Sequence, residues 1–97
     1  MAEANSFERE YGCSEAEWLR WLPGAVRAQA LTLSDGGAAV GIGTGHLRLQ
    51  WRPLPPRRIA LITLPRLQVR FAFEHVEDSA RANFMRYFDL YLQRGGG

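Results

Sequence analysis

The chain has 97 residues, of which 46% are hydrophobic and eleven are aromatic. This composition excludes a disordered chain and predicts one folded domain over residues 1–97, with frayed ends at 1–5 and 95–97. The single cysteine excludes an internal disulfide and a cysteine-cluster metal site. The N-terminal residues lack the basic and apolar segments of a secretory signal, and no apolar run is long enough to cross a bilayer. We therefore expect a soluble cytoplasmic protein without a membrane span.

The positive charges are all arginine, with twelve arginines, no lysine and a net charge of +2. Such usage is typical of a GC-rich bacterial genome, although arginine is also a good two-pronged ligand for phosphate and carboxylate. The charges are segregated along the chain. Residues 1–19 carry a net charge of −4, whereas residues 36–73 contain six arginines and no acid. This segregation predicts either an anionic partner or a homodimer in which opposite ends of two copies meet.

The first predicted element is a helix. Ser14 and Glu17 have the spacing of a capping box, and Pro23-Gly24 should end the helix. One face of this helix carries Trp18, Trp21 and Leu22. Upstream, Phe7 and Tyr11 are four residues apart, which predicts a short helical turn before the main helix.

Four or five antiparallel strands are expected next. Ser34–Gly37 and Gly43-Thr44-Gly45 are turn signals between the first three. The segment Pro53-Leu54-Pro55-Pro56 breaks the pattern after the third strand. Pro65-Arg66 is either a tight turn or a bulge in one long strand. The predicted strands are 26–33, 38–42, 46–52, 58–64 and 67–73.

The C-terminal segment is predicted to be a helix, because apolar residues recur at i, i+3, i+4, i+7 and i+8. They are Phe84, Tyr87, Phe88, Tyr91 and Leu92. Asp78 or Ser79 should cap this helix, and Gly95 should end it. The order of elements predicts an α+β fold. We expect a two-layer sandwich with an antiparallel sheet of four to five strands and the N-terminal and C-terminal helices packed on one face.

The central strands alternate polar and apolar residues, so one face of the sheet should be rich in arginine and glutamine. The predicted binding residues on that face are Arg48, Arg52, Arg66, Arg70, Gln50 and Gln68. Guanidinium groups without nearby acids favour an acidic protein surface or a nucleic-acid backbone. Base stacking is not expected, because the aromatic residues of these strands lie on the opposite face. The predicted function is therefore a small non-enzymatic binding module, although a polar sheet face can also simply be solvated.

The alternative function is a small-ligand or lipid-binding domain with an aromatic-lined cavity between helices and sheet. The cavity would be lined by Trp18, Trp21, Phe84, Tyr87, Phe88 and Tyr91. The order of elements resembles that of some helix-grip lipid-binding folds, which is a likeness of fold only.

Other motifs favour structural roles, so no catalytic residue, metal site or cofactor is predicted. The glycine run at 41–46 precedes a strand rather than a helix, which predicts a β-turn and not a nucleotide loop. Cys13 should be packed, and the two histidines lack metal-ligand spacing. The proline-rich segment 52–57 is expected to be a stiff loop rather than a ligand for Src-homology-3-type domains. The tail 94–97 is expected to be a frayed helix end rather than an activated modifier tail.

Overall fold

The protein folds into an antiparallel sheet with two helices, in a computed structural model that describes residues 5–27 and 29–93. The elements are β1 (Ser6–Tyr11), α1 (Glu15–Val26), β2 (Leu31–Ser34), β3 (Gly37–Ile42), β4 (Gly45–Ile59), β5 (Ile62–Glu74) and α2 (Asp78–Tyr91). Five strands in the order β1-β5-β4-β3-β2 form one sheet, and every neighbouring pair is antiparallel. The predicted α+β class with an antiparallel sheet is therefore confirmed. The predicted Gly95 helix end and the tail 94–97 lie outside the described residues.

The core forms on the apolar face of the sheet. The buried sheet residues of β4 and β5 are Leu47, Leu49, Trp51, Leu67, Val69, Phe71 and Phe73. Helix α1 contacts this face where Trp18 meets Trp51, with ring centroids 5.7 Å apart. Helix α2 does so where Phe88 meets Phe71 at 5.6 Å, and Trp18 and Phe88 are themselves 6.0 Å apart. Burial of these rings is the main favourable contribution to folding.

The capping box of α1 is confirmed. The Glu17 backbone N–H donates to Ser14 Oγ at 3.2 Å, and the Ser14 N–H donates to Glu17 Oε1 at 2.9 Å. The predicted end at Pro23 is wrong, because the helix continues to Val26. An interior proline costs about 3 kcal/mol. Burial of Ala25 and Val26 offsets that cost.

Residues 6–11 form strand β1, so the predicted helical turn at Phe7 and Tyr11 is wrong. β1 pairs with β5, with Phe7 opposite Phe71 and Tyr11 opposite Leu67. A spacing of four residues brings side chains to one side of a helix and also of a strand, which explains the error. The strand carries its acidic side chains to one edge of the sheet.

The strand predicted at 26–33 is correct only at its C-terminal end, since α1 extends to Val26 and β2 begins at Leu31. The glycine turn at 43–45 is confirmed as the connection between β3 and β4. Gly43 has a φ of +59°, and a Cβ on Gly45 would lie 2.1 Å from the His75 carbonyl oxygen. The glycines of this run are therefore required by a left-handed turn and a close backbone approach.

Strands β4 and β5 are longer than predicted. β4 continues past the prolines at 53, 55 and 56 to Ile59, with a register shift between Leu54 and Arg57. The hairpin turn lies at Ala60-Leu61. The predicted break at the prolines was therefore wrong, and the strand predicted at 58–64 is correct except for the turn at residues 60–61. Pro65-Arg66 lies inside one long strand, and the irregularity is in the facing strand. The prolines are tolerated because neither strand has a second neighbour there.

The apolar stripe of α2 is confirmed, with Phe84, Phe88 and Leu92 buried. The predicted cap at Asp78 or Ser79 is wrong, because the N-cap residue is Glu77, whose side chain forms no capping hydrogen bond. Within the described residues, no helix combines the length and the hydropathy needed to cross a membrane.

Candidate binding face on the sheet

The six residues predicted to bind an anionic partner lie on one face of the sheet. In the β4–β5 register Gln50 is opposite Arg70, Arg52 is opposite Gln68 and Arg48 is opposite Ala72. Directly opposite residues point to the same side, and side chains two residues apart do so as well. We call the side that bears Arg48, Gln50, Arg52, Arg66, Gln68 and Arg70 the polar face. Gln68 and Arg66 are partly buried there, and the other four are exposed.

Two acids of β1 also lie on the polar face, which the sequence interpretation missed. Glu8 is opposite Arg70 and Glu10 is opposite Gln68. Arg66 Nε and Nη2 donate to the two carboxylate oxygens of Glu10 at 2.7 and 3.0 Å. Glu8 lies 3.6 Å from Arg70 Nη1 and accepts from Gln68 Nε2 at 3.0 Å. The expectation of guanidinium groups without nearby acids was therefore wrong.

Arg66 and Glu10 form an ion pair on this face that is joined by two hydrogen bonds. The hydrogen bond from Arg66 lowers the pKa of Glu10 below its ordinary value, with a further contribution from Arg57. The same hydrogen bond raises the pKa of Arg66. Both groups are thus charged at neutral pH, and an anionic partner would have to compete with Glu10 for the Arg66 guanidinium.

A third acid lies where β5 ends. His46 Nε2 is 2.8 Å from Glu74 Oε1, and Arg48 Nη2 is 4.0 Å from the same oxygen. Arg52 differs from these residues. Within residues 5–27 and 29–93 it takes part in no ion pair, so its guanidinium group is available to a partner.

The polar face is concave over β2, β3 and β4. β3 presents Gly37, which has no side chain, and Ala39 there, and a depression of about 500 Å³ lies beside Arg48. A second depression of about 210 Å³ lies between Glu8, Arg52 and Arg70. Gln50 borders both. Arginine and glutamine donors line two adjoining hollows that could receive phosphate or carboxylate groups, and each hollow also borders one acid, Asp35 in the first and Glu8 in the second.

The cysteine and the two histidines, which were considered for catalysis or metal binding, do not form a reactive site or a metal site in the described residues. Burial raises the pKa of the Cys13 thiol to about 11, with a smaller contribution from Glu17, so the reactive thiolate is scarce at neutral pH. His46 is paired with Glu74, whereas His75 is exposed just beyond β5. In the described part of the chain, no group of three or more histidine, cysteine or acidic side chains could hold a metal ion.

The aromatic residues of the alternative cavity contact one another. Trp18 lies 6.0 Å from Phe88, Phe84 lies 5.8 Å from Phe88, and Tyr87 lies 6.3 Å from Tyr91. Trp21 is partly buried against the same core. A hollow of about 230 Å³ borders Phe84 and Tyr87 near the C-terminus of α1, below the usual 300–1,000 Å³ of ligand pockets. The ligand-binding alternative stays a prediction.

Comparisons with known proteins identify no family for this chain. No protein-family model matches the chain, and no curated protein matches it significantly.

Proposed function

We propose that the protein is a non-catalytic binding module whose polar face contacts a partner with clustered negative charge, either an acidic protein surface or a nucleic-acid backbone. The proposal takes α1 and α2 as one layer on the apolar face, in a two-layer sandwich that leaves the polar face free. What supports it is the β4–β5 register, which aligns Arg48, Arg52, Arg66 and Arg70 on one side of the sheet. Their donors suit phosphate and carboxylate groups.

The ion pairs of the polar face determine which arginines carry the interaction. Four arginines face three carboxylates, because Glu8, Glu10 and Glu74 share the surface. Arg66 is held by two hydrogen bonds, whereas Arg48 is 4.0 Å from its carboxylate and Arg52 has none in the described residues. Binding should therefore be weak, salt-sensitive and centred on Arg48 and Arg52.

The test is salt-dependent binding of a short single-stranded oligonucleotide and of an oligoglutamate peptide. For the oligonucleotide, Arg48→Gln/Arg52→Gln should reduce the slope of log K against log salt by about 1.4, since each lost phosphate contact removes about 0.7. Glu8→Gln should have the opposite effect and strengthen binding several-fold, because it frees Arg70 and Gln68 from a competing carboxylate.

The matched control is Arg20→Gln/Arg86→Gln, which removes the same charge from exposed positions on the two helices. This control should lower the affinity only through the change in net charge. Its loss of affinity should therefore be smaller than that of Arg48→Gln/Arg52→Gln. Equal losses for the two double variants would contradict the proposal, as would weaker binding by Glu8→Gln.

A further inference from the structure

The outer part of the β4–β5 hairpin forms a two-stranded ribbon without neighbours in the sheet. β3 pairs with β4 only as far as Gln50, and β1 pairs with β5 only from Leu67. We call residues 52–66 the ribbon. None of the buried core residues lies within it. The longest dimension of the molecule is 47 Å, against 27 and 23 Å for the others, in keeping with a projecting ribbon.

The end of the ribbon is aliphatic and exposed. Leu61 at the turn is fully exposed, and Ile59, Ile62 and Leu64 are 53%, 58% and 42% exposed. Ile59 is opposite Ile62, and Leu64 is two residues further along β5, so these three share a face. Hairpin turns favour asparagine and glycine, whereas here the turn is Ala60-Leu61. No described part of this chain covers these side chains, so the exposed apolar patch indicates an interaction site.

Cations lie directly behind the aliphatic end. Arg58 is opposite Thr63 and Arg57 is opposite Leu64, two and three residues from the turn. With a rise of about 3.3 Å per residue, their backbones lie about 7–10 Å behind the tip. No acid occurs between residues 36 and 73, although Glu10 of β1 interacts electrostatically with Arg57. The ribbon therefore presents an apolar tip first and a layer of positive charge second.

An apolar tip followed by a cationic layer matches the surface of an anionic bilayer better than a nucleic-acid groove or a second copy of this chain. Interfacial elements bury their apolar side chains about 5–10 Å into the boundary between headgroups and acyl chains of an anionic bilayer, and the backbones of Arg57 and Arg58 lie at a similar distance behind the tip. A nucleic-acid groove would meet the aliphatic tip before the cations. Strand addition by a second copy is disfavoured, because Pro53, Pro55, Pro56 and Pro65 remove backbone donors from the ribbon edges.

We propose that the tip of the ribbon, residues 57–64, inserts into the headgroup–acyl boundary of an anionic lipid bilayer, where Arg57 and Arg58 contact lipid phosphates. The aliphatic stems of the arginines can lie along the apolar region while their guanidinium groups stay at the phosphate plane. The contact is peripheral and reversible, since only Ile59, Leu61 and Ile62 lie beyond the arginines, while Leu64 is level with Arg57. The tip uses none of the six residues of the polar face, although Ile62 and Leu64 lie on the same side of β5 as Arg66.

The experiment is co-sedimentation of the full chain with vesicles of phosphatidylglycerol and phosphatidylcholine in equal parts, and with vesicles of phosphatidylcholine alone. We expect binding to the anionic vesicles and at least a tenfold weaker binding to the neutral ones. Leu61→Ser/Ile62→Ser should remove most of the binding, and Arg57→Gln/Arg58→Gln should weaken it. The matched controls Leu90→Ser and Arg86→Gln change an exposed leucine and an exposed arginine on α2, and they should bind as the parent does.

A second measurement places the tip within the bilayer. In Leu61→Trp, the emission of the added tryptophan is obtained by subtracting the spectrum of the parent. This emission should shift to shorter wavelength on vesicle binding and be quenched by lipids with brominated acyl chains. The proposal is overturned if the parent ignores anionic vesicles or if the serine double variant binds as well as the parent. It is also overturned if that variant instead abolishes self-association or oligonucleotide binding measured without vesicles. Loss of polyanion binding in Arg48→Gln/Arg52→Gln, with vesicle binding retained, separates this tip from the polar face.

Discussion

The two halves of the β4–β5 hairpin belong to the same pair of strands and yet have opposite surroundings. In the inner half, β3 and β1 flank the strands, and Leu47, Leu49, Val69 and Phe71 are buried. In the outer half no strand flanks the pair, and aliphatic side chains of similar size are exposed. Neighbouring elements, rather than the alternation itself, thus determine which apolar residues of a strand become core.

The charges of the two halves differ in the same way. In the inner half Arg48 and Arg70 lie near carboxylates of Glu74 and Glu8, and Arg66 at the border is bound to Glu10. In the outer half Arg52 and Arg58 take part in no ion pair within the described residues. The inner half is electrostatically close to balanced, whereas the outer half keeps its positive charge for a partner.

The largest expected difference between the halves is in their contribution to stability. Phe88→Ala empties space between α2 and Phe71 in the packed half, so we expect a loss of about 3–5 kcal/mol in the free energy of unfolding. Leu61→Ala at the ribbon tip removes a side chain that touches no core, and it should change stability by less than about 0.5 kcal/mol. Urea unfolding of both variants and the parent measures these changes in the free energy of unfolding. Similar losses would show that the ribbon tip is part of the core.

The sequence predicted the inner half of the hairpin well because one face of it is apolar throughout. Residues 46–52 and 67–73 were correctly predicted as strands, and the arginines were assigned to the same face that the register gives them. The capping box at Ser14 was equally clear, since its two hydrogen bonds depend only on residues three apart. Local signals of this kind need no knowledge of the neighbours.

The sequence failed where tertiary contacts outweigh a local signal. Pro23 normally ends a helix, but α1 continues because Ala25 and Val26 are buried. The prolines from 53 to 65 normally exclude a strand, but they are accepted where the ribbon has no other neighbour. The alternation of β1 was hard to recognise because Arg9 lies between Phe7 and Tyr11 on its apolar side. This arginine forms an ion pair with Asp89 of α2, and its guanidinium carbon lies 5.2 Å from the centre of the Phe7 ring.

The error at β1 also determined how the binding face was interpreted. With Phe7 and Tyr11 assigned to a helical turn, Glu8 and Glu10 had no predicted place on the sheet. The polar alternation of Ser6, Glu8 and Glu10 was the signal that could have placed them there. Recognising that strand would have predicted a partly neutralised polar face.

A smaller effect in the packed half follows from Cys13. Its pKa is raised by burial from 9.0 to about 11, so folding favours the neutral thiol. The associated stability is fully present below about pH 9 and is lost as the pH rises through about 11, because the unfolded chain ionises first. The loss is at most about 2–3 kcal/mol. Urea unfolding of the parent against Cys13→Ala over this range should show a steeper alkaline decline for the parent. Parallel declines would mean that other groups control alkaline unfolding.

The smallest expected effect is confined to the ribbon. Ala60, the first residue of the hairpin turn, has a φ of 54°, a conformation that glycine adopts without the strain of a Cβ. Ala60→Gly should therefore stabilise the turn by about 0.5–1 kcal/mol, which corresponds to amide exchange about two- to fivefold slower at residues 57–64. Because no core residue lies in the ribbon, it should open separately from the body. We expect hydrogen exchange of the ribbon to slow while the melting temperature stays constant. A melting temperature that rises together with the local protection would show that ribbon and body unfold as one unit, and the contrast between the two halves of the hairpin would not extend to their stability.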